Sequence, residues 1–331
     1  MINTWQFWVV IYLIAGVLFA QKFKSSNRNM NNAGSLTILL ELFTGVFSLL
    51  MIPVFDIKFD INTNVLLTLL IVVFIYAVTD RLNIEARYGL DPSTFSMLKQ
   101  LSTVFMIIFG FTLLKEEFVF SKLLGTLFII GANIILSYDK GKFVINKYFI
   151  MSFVSNFLFA VAMLINVDLS DHFNLAFYTY ITVTIPSILI FVFGRHNIAD
   201  IKEEFKLCKR KDFIIAAFSW ALMLNASIRA YQLGSVTVVA SLFALTAILN
   251  ALVEFIFSHN KNKFIQKVIA ATLIIIGVIL VNGWESFLWH KKSKDFSLSW
   301  SLLFYFKTSF MFIFLYTILT MIIVFSFSFI V

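Results

Sequence analysis

GTLFIIG at residues 125–131 returns as ATLIIIG at residues 271–277, 146 positions further along the chain. Residues 84–86 (IEA) are likewise followed by residues 228–230 (IRA), at a spacing of 144. Self-similarity at a nearly fixed spacing is the sequence signature of an internal repeat. The matched segments therefore predict a chain built from two similar halves.

The composition indicates a membrane protein. Of the 331 residues, 60% are hydrophobic and 13% are charged, and the mean hydropathy is +0.92. A typical soluble domain is about 45–50% apolar and about 25% charged, so a single soluble core could not cover this much apolar surface. A membrane-spanning helix needs about 20 mostly apolar residues. We therefore predict an all-α membrane protein that crosses the bilayer many times.

Ten apolar runs have the length of a spanning helix. They are residues 5–20, 35–55, 65–85, 94–114 and 118–138 in the first half, and 148–167, 173–194, 213–233, 235–257 and 264–282 in the second. The polar segment 195–212 predicts a short amphipathic helix in a loop. The apolar segment 297–331 has no charge from Thr308 onward and predicts an eleventh spanning helix, with an interfacial segment as the alternative.

Five helices in each half imply an inverted arrangement. Because five is an odd number, the second repeat enters the membrane with the opposite orientation, which is the plan of many secondary transporters. The predicted units are residues 1–142 for the first repeat and 143–283 for the second. Residues 284–331 form a polar linker and the extra C-terminal hydrophobic segment.

Short motifs beside these helices resemble a known family. Residues 86–94 (ARYGLDPST), 113–117 (LLKEE) and 124–131 (LGTLFIIG) are similar to one half of an EamA-type member of the drug/metabolite transporter superfamily. In the second half, residues 230–235 (AYQLGS) and 271–277 resemble the same pattern. The resemblance implies a carrier of small metabolites built from two such halves.

The fourth predicted helix carries a narrower resemblance. Residues 90–95 (LDPSTF) and 98–101 (LKQL) are similar to the fourth helix of nucleotide-sugar transporters, in which polar residues contact the ligand. This resemblance implies a ligand contact for Gln100. Ser102 stands where that family has a lysine, and Lys99 lies nearby instead.

Ionisable residues inside spanning helices are energetically costly and usually face a cavity or a partner. In the third helix, Arg81 and Glu85 are one turn apart and can pair, while Asp80 points about 100° away from Arg81. We predict that this cluster binds a charged substrate or carries a proton. A position at the membrane surface, where the helix ends, is the alternative.

Further candidate substrate-binding residues lie in the fourth and eighth helices. Lys99 and Gln100 are predicted to face inward, where the Lys99 ammonium suits a phosphate or carboxylate; snorkelling of Lys99 to the headgroups is the alternative. Asn225 and Arg229 are spaced i, i+4 and share a helix face. Arg229 is the repeat equivalent of Glu85, so the two are expected to bring opposite charges to one central pathway. A purely structural pair of Arg229 with a carboxylate is the alternative.

Glu41 and three aromatic residues complete the predicted site. Glu41 is the only charge in the second helix. An isolated carboxylate in hydrocarbon favours the protonated form, which makes Glu41 a candidate for proton coupling. Tyr76, Trp220 and Tyr231 lie on the third and eighth helices, where a substrate ring could stack, although most aromatic residues of such a chain face lipid.

No sequence feature indicates catalysis, a metal or a cofactor. The chain lacks CxxC, HExxH, GxGxxG and GxxxxGK[ST] motifs, and its four histidines have no metal-ligand spacing. The formal net charge of +8 is carried by loops rather than by the basic face of a nucleic-acid-binding domain. The expected partners are a small-molecule substrate and the lipid bilayer, without nucleic acid. The chain is expected to be a monomer or a homodimer.

Loop charges and the family resemblance predict opposite orientations in the membrane. Lysines and arginines are concentrated in the loops after the odd-numbered helices, above all in residues 195–212. The positive-inside rule then places the N-terminus outside, whereas the resemblance implies that it lies inside.

The predicted function is secondary transport in the cell inner membrane. A small polar or anionic metabolite would cross by alternating access through a central cavity. A nucleotide-sugar-type exchanger and a lipid-linked-sugar flippase are the alternatives. A membrane-embedded transferase is disfavoured, because it would need carboxylates or His–Asp pairs clustered at one membrane face, and here they are scattered.

Overall fold

The computed structural model describes residues 4–27, 31–99, 101–112, 120–139, 142–143, 146–234, 239, 242–243, 245–258 and 264–281. The α-helices within these residues are α1 Trp5–Ser26, α2 Ala33–Leu49, α3 Thr63–Gly89, α4 Pro92–Leu98, α5 Leu101–Thr112, α6 Phe120–Ser137, α7 Lys147–Ser170, α8 Leu175–Phe193, α9 Ile198–Leu207, α10 Arg210–Leu233, α11 Leu245–Ser258 and α12 Phe264–Val281. A 3-10 turn covers Ile52–Val54, and two short strands, β1 Tyr138–Asp139 and β2 Lys142–Phe143, pair antiparallel. The predicted C-terminal span at 297–331 lies outside the described residues.

The predicted helical, multi-pass class is confirmed. Within the described part of the chain, α1, α3, α7, α8 and α10 are long and apolar enough to cross a membrane, and α2, α6, α11 and α12 contain shorter apolar helices. The amphipathic helix expected between residues 195 and 212 is α9. The fourth predicted run is divided, because α4 ends at Leu98 and α5 begins at Leu101.

The ends of the helices lie at two opposite ends of the molecule, which we call poles. At the first, which we name the basic pole, α1, α3 and α8 end and α2, α7 and α10 begin. There, Lys22 Nζ of α1 lies 3.1 Å from Asp212 Oδ1 of α10, and Lys147 Nζ of α7 lies 3.7 Å from Glu85 Oε1 of α3. At the opposite pole, the Asn174 side chain at the start of α8 donates hydrogen bonds to backbone carbonyls of the α2–α3 connection.

Helices of the first half pack against helices of the second. The main pairs are α1 with α10, α3 with α7, α2 with α8, and α6 with α12. Between α1 and α10, the Phe19 and Trp220 rings stack with their centroids 5.3 Å apart. Between α6 and α12, the two copies of the repeated heptapeptide meet at Gly277 and Gly125, since small residues allow close approach of helices in a membrane.

The connection between α8 and α10 holds the basic pole together. Glu204 of α9 is 2% exposed, and its carboxylate accepts hydrogen bonds from the Asn31 and Asn32 backbone N–H groups at 3.2 Å each. Burial raises the pKa of Glu204, while these two hydrogen bonds act in the opposite direction. Cys208 Sγ lies 3.0 Å from Asn27 Oδ1, and burial raises the pKa of this thiol to about 12. The α1–α2 connection is thereby fixed to α9.

Candidate functional site

A cavity of about 80 Å³ lies in the middle of the molecule, between α1, α3, α7, α8 and α10 and beside the break between α4 and α5. Five residues of α3 line the cavity, at successive intervals of four, three, one and three positions. These intervals place them on one face of the helix. They are Tyr76, Asp80, Asn83, Ile84 and Arg87.

The cavity-facing side of α10 repeats these positions. The equivalent residues lie 144 positions later, at the offset of the IEA and IRA segments, and all of them line the cavity. They are Trp220, Leu224, Ser227, Ile228 and Tyr231. Lys99 and Phe243, which also line it, have the same spacing. The two halves therefore contribute equivalent positions to one cavity.

The charges of the cavity come from the first half. The described charged lining residues are Asp80, Arg87 and Lys99. Their equivalents in the second half are Leu224, Tyr231 and Phe243. One side of the cavity is therefore ionic, and the side that faces it is apolar and aromatic.

Lys99 lies in the turn that separates α4 from α5. Its Nζ is 4.0 Å from the centroid of the Phe159 ring, which is within the range of a cation–π interaction. The Ser102 hydroxyl stabilises the turn by donating to the Lys99 carbonyl oxygen at 2.7 Å. Asp80, which is 9% exposed, attracts the Lys99 ammonium electrostatically. The Phe159 ring thus contacts this ammonium at the cavity, and the Asp80 carboxyl group favours its charged form.

Arg87 lies nearer to the basic pole. Its guanidinium carbon is 4.0 Å from the centroid of the Phe95 ring and 4.6 Å from that of Phe19. Asp80 also attracts it, while Lys99 and Arg87 repel each other. The lining thus combines two cationic groups with one carboxyl group, so an anionic ligand would be favoured.

Hydroxyl and amide groups from α7 and α8 complete the lining. Asn166 is oriented by Tyr178, whose phenol donates to the Asn166 side-chain oxygen. The Thr179 and Thr182 hydroxyls donate to carbonyl oxygens of their own helix, at 3.0 Å each. Their oxygens still have lone pairs that can accept a hydrogen bond from a ligand.

Of the predicted site residues, Asp80 and Lys99 line this cavity, and Gln100 lies outside the described residues. Arg81 and Glu85 belong to the basic pole instead. Arg81 Nη1 lies 2.9 Å from Glu85 Oε2, and both side chains are partly exposed, at 34% and 23%. A pair this exposed contributes roughly 0–1 kcal/mol to stability.

Asn225 and Arg229 also lie away from the cavity lining. Asn225 is buried, donates to Ser48 Oγ at 3.0 Å and has its Oδ1 3.2 Å from Thr179 Oγ1, so it joins α10 to α2 and α8. Arg229 is at the opposite pole, where its Nη2 lies 4.0 Å from Asp56 Oδ2. The described contacts of both residues are structural.

The structure does not bring Glu85 and Arg229 together, contrary to the expectation from the repeat. Glu85 is at the basic pole, and Arg229 is at the opposite pole. The reason is the direction of the two helices: α3 ends at the basic pole, whereas α10 ends at the opposite one. Glu85 and Arg229 also each follow a lining residue, Ile84 or Ile228, by one position, so each lies about 100° around its helix from that residue.

Glu41 is fully buried in α2, and its carboxyl group lies beside that of Asp80. It interacts electrostatically with Asp80 of α3. Because Asp80 lines the cavity and Glu41 does not, Asp80 connects the buried Glu41 carboxyl with the cavity.

Sequence reasoning missed Arg87 and Asn83. The third apolar run ends at Glu85, which predicts a loop position for Arg87, but α3 continues to Gly89. Arg87 lies seven positions, about two helical turns, after Asp80. This spacing places Arg87 on the same side of the helix as Asp80, and it could have identified Arg87 from the sequence.

The described residues offer no metal site, because no three of their His, Cys, Asp or Glu side chains lie together in a group that could hold an ion.

Comparison with known families identifies the class of the protein. Residues 3–138 match the EamA-like transporter family. The match covers the first predicted repeat, and the resemblance predicted from the sequence is confirmed. EamA-like proteins are transporters, and the apolar helices of the described residues are those of a multi-pass membrane protein.

The chain also shares its fold with solved structures. One crystal structure superposes with a TM-score of 0.58 at 12% sequence identity, covering 83% of this chain and 98% of that chain. At this identity the likeness concerns the fold alone. No curated protein matches the sequence.

Proposed function

We propose that this EamA-like protein is a secondary transporter that moves a small anionic organic solute by alternating access. The observation that carries the proposal is the presence of Lys99 and Arg87 at one central cavity, opposite an aromatic wall. Ionisable groups within a membrane bundle are costly and mark substrate or ion pathways. An ammonium and a guanidinium suit a carboxylate or phosphate, and Trp220 or Phe243 offers a face on which a ring can stack.

Helix packing supports two inverted repeats as the basis of this mechanism. In the second half, α7 is the counterpart of α1 and α10 is the counterpart of α3. The α1–α10 contact is therefore equivalent to the α7–α3 contact, while α2–α8 and α6–α12 each join a helix to its own counterpart. Such an exchange is expected for repeats related by a two-fold axis in the membrane plane. We assign residues 1–142 and 143–283 to these repeats and the cell inner membrane as their location.

The size of the cavity indicates how access would alternate. Its volume of about 80 Å³ is smaller than the roughly 300–1,000 Å³ of typical ligand pockets. A bound metabolite therefore requires the helices around the cavity to separate. Rocking of one repeat against the other would open the cavity to one pole at a time.

Ligand-induced thermal stabilisation of the purified protein tests this function. Nucleotide sugars, sugar phosphates and amino acids form the panel, because ligand at about 100 times its Kd stabilises the folded state by about 2.7 kcal/mol. We expect one anionic class to raise the Tm of the wild type. Lys99→Met should abolish that shift.

Two control variants separate the cavity from the poles. Lys147→Ala changes a lysine that is 64% exposed, and Arg229→Ala changes a residue of the opposite pole. Both should keep the ligand-induced shift. If Arg229→Ala abolishes the shift and Lys99→Met retains it, the site lies elsewhere. If no soluble compound raises the Tm of the wild type, the proposal of a carrier for a soluble anion is wrong, and a lipid-linked-sugar flippase is favoured.

A further inference from the structure

A second cavity lies beside the central one at the basic pole. It has a volume of about 300 Å³ and is lined by Phe23, Lys24, Asn27, Arg87 and Tyr88. Tyr88 is 37% exposed, so this cavity reaches the surface. We name it the vestibule. Among the described lining residues, Arg87 is shared by the vestibule and the central cavity.

Aromatic rings hold Arg87 in the wall between the two cavities. Phe95 and Phe19, on which the guanidinium rests, are each 1% exposed. Phe19 in turn stacks on Trp220, which lines the central cavity. The guanidinium is therefore part of a layer of rings that separates the central cavity from the vestibule.

A second cation lies on the vestibule side of this layer. Lys24 Nζ donates to the carbonyl oxygens of Tyr88, at 2.8 Å, and Leu90, at 3.1 Å. These hydrogen bonds hold the ammonium beside the end of α3. Lys24, Arg87 and Lys99 thus follow one another from the vestibule to the central cavity.

We propose that Arg87 is the gate between the vestibule and the central cavity, and that the vestibule is the first site of an anionic solute entering from the basic pole. While the guanidinium rests on the two rings, it closes the passage. A carboxylate or phosphate in the vestibule pairs with it and draws it off the rings, after which the anion reaches Lys99. The passage of the anion rests on the proposed function; the closure of the passage does not.

Arginine has the chemistry that this gate needs. Its planar guanidinium stacks on aromatic rings and also binds carboxylate or phosphate through two parallel hydrogen bonds. A lysine would keep the charge but not the planar stacking. The two interactions compete for the same group, so anion binding and opening are linked.

Thiol accessibility tests the gate without any transported solute. Cys208 is the single cysteine and is buried, so Cys208→Ser gives a cysteine-free background. Ser102→Cys then reports on the central cavity, and Tyr88→Cys reports on the vestibule. The rate of reaction with an anionic, membrane-impermeant thiosulfonate is measured in lipid nanodiscs, which expose both poles.

We expect Arg87→Ala to raise the reaction rate at residue 102 about tenfold, because two cation–π contacts are lost. The rate at residue 88 should not rise, because the vestibule loses a cation that attracts the anionic reagent. Arg87→Lys and Phe95→Leu should raise the rate at residue 102 to a smaller extent. In the wild-type background, residue 88 should react faster with the anionic reagent than with a cationic one of similar size.

An unchanged rate at residue 102 in Arg87→Ala would overturn the gate. If Arg87→Ala lowers the Tm, the test of the gate rests on Arg87→Lys, which preserves the charge, and on Phe95→Leu, which keeps an apolar side chain. Faster reaction of residue 88 with the cationic reagent would overturn the vestibule as an anion site. Failure of the carrier proposal is seen separately, as the absence of any ligand-induced Tm shift.

Discussion

Gly277 of α12 lies against Gly125 of α6 so closely that a Cβ atom at residue 277 would stand 2.6 Å from the Gly125 carbonyl oxygen. The equivalent position in the first heptapeptide is Gly131, where a Cβ atom would have no neighbouring heavy atom within 4 Å. The same glycine of the repeated motif is thus required for helix contact in one copy and not in the other.

Replacing these two glycines gives the first prediction. Gly277→Ala should destabilise the protein by about 1–3 kcal/mol, because the methyl group forces a shift of packed backbone. Gly131→Ala should change stability by less than about 0.5 kcal/mol. Thermal unfolding of the two variants in the same detergent measures the difference. Equal losses would show that α6 and α12 do not pack as described.

The buried ion pair of α11 and α12 gives the second prediction. Lys267 Nζ lies 2.7 Å from Glu254 Oε2, and both side chains are 5% exposed. Lys267→Met leaves a buried charge uncompensated and should cost about 3–5 kcal/mol. The double variant Glu254→Gln/Lys267→Met should recover most of this loss. The partly exposed pair at Lys147 is the control, and Lys147→Ala should cost at most about 1 kcal/mol.

The positions of the helices could be predicted from the sequence, but which side chains face the cavity could be predicted only in part. Apolar runs of spanning length identified the helices because a bilayer imposes that length. The break between α4 and α5 was not predicted, because no glycine or proline lies within residues 96–103 to signal it. Asp80 and Lys99 were found because charges in hydrocarbon are rare. Arg229 was misplaced because the expected convergence with Glu85 did not take into account that an inverted repeat points α3 and α10 in opposite directions, which puts the two residues at opposite poles.

Glu204 gives a prediction for pH dependence. Its raised pKa means that the folded protein holds this proton to higher pH than the unfolded chain does. The contribution of this group to stability is therefore fully present below the ordinary Glu pKa of 4.5 and is lost as the pH rises through the raised value. Glu204→Gln removes this titration, so the Tm of the variant relative to the wild type should rise as the pH increases from 4.5 through the raised pKa of Glu204.

A constant difference in Tm across that range would contradict the role given to Glu204. Glu203→Gln, one residue earlier on α9, is the matched control because Glu203 is exposed. It should leave the slope of Tm against pH close to that of the wild type.

The two poles allow the orientation to be measured. Lys202 of α9 is exposed at the basic pole, and Lys58 is exposed at the opposite pole. The positive-inside rule predicts that Lys58→Cys, in the Cys208→Ser background, reacts with an impermeant maleimide on intact cells. Lys202→Cys should react only after lysis. The reverse result would support the orientation implied by the family resemblance.

The last prediction concerns Glu41 and energy coupling. Glu41 is fully buried, its carboxyl group lies beside that of Asp80, and Asp80 reaches the cavity. Two neighbouring carboxyl groups in a low-dielectric site favour holding one proton between them. An anion arriving at Lys99 competes with Asp80 for the ammonium, so proton binding by the carboxyl pair and anion binding by Lys99 should favour each other.

Glu41→Gln separates these two functions. The amide is neutral and close in shape to a protonated carboxyl group, so the variant should retain its Tm, the ligand-induced Tm shift and solute exchange at equilibrium. It should lose accumulation driven by a proton gradient, measured as uptake into proteoliposomes with and without that gradient. Asp80→Asn should lose accumulation and also weaken discrimination between anionic and neutral solutes, because Asp80 touches the cavity and Glu41 does not. Unchanged gradient-driven accumulation in Glu41→Gln would leave this carboxyl with a structural role and would assign any coupling to Asp80 alone.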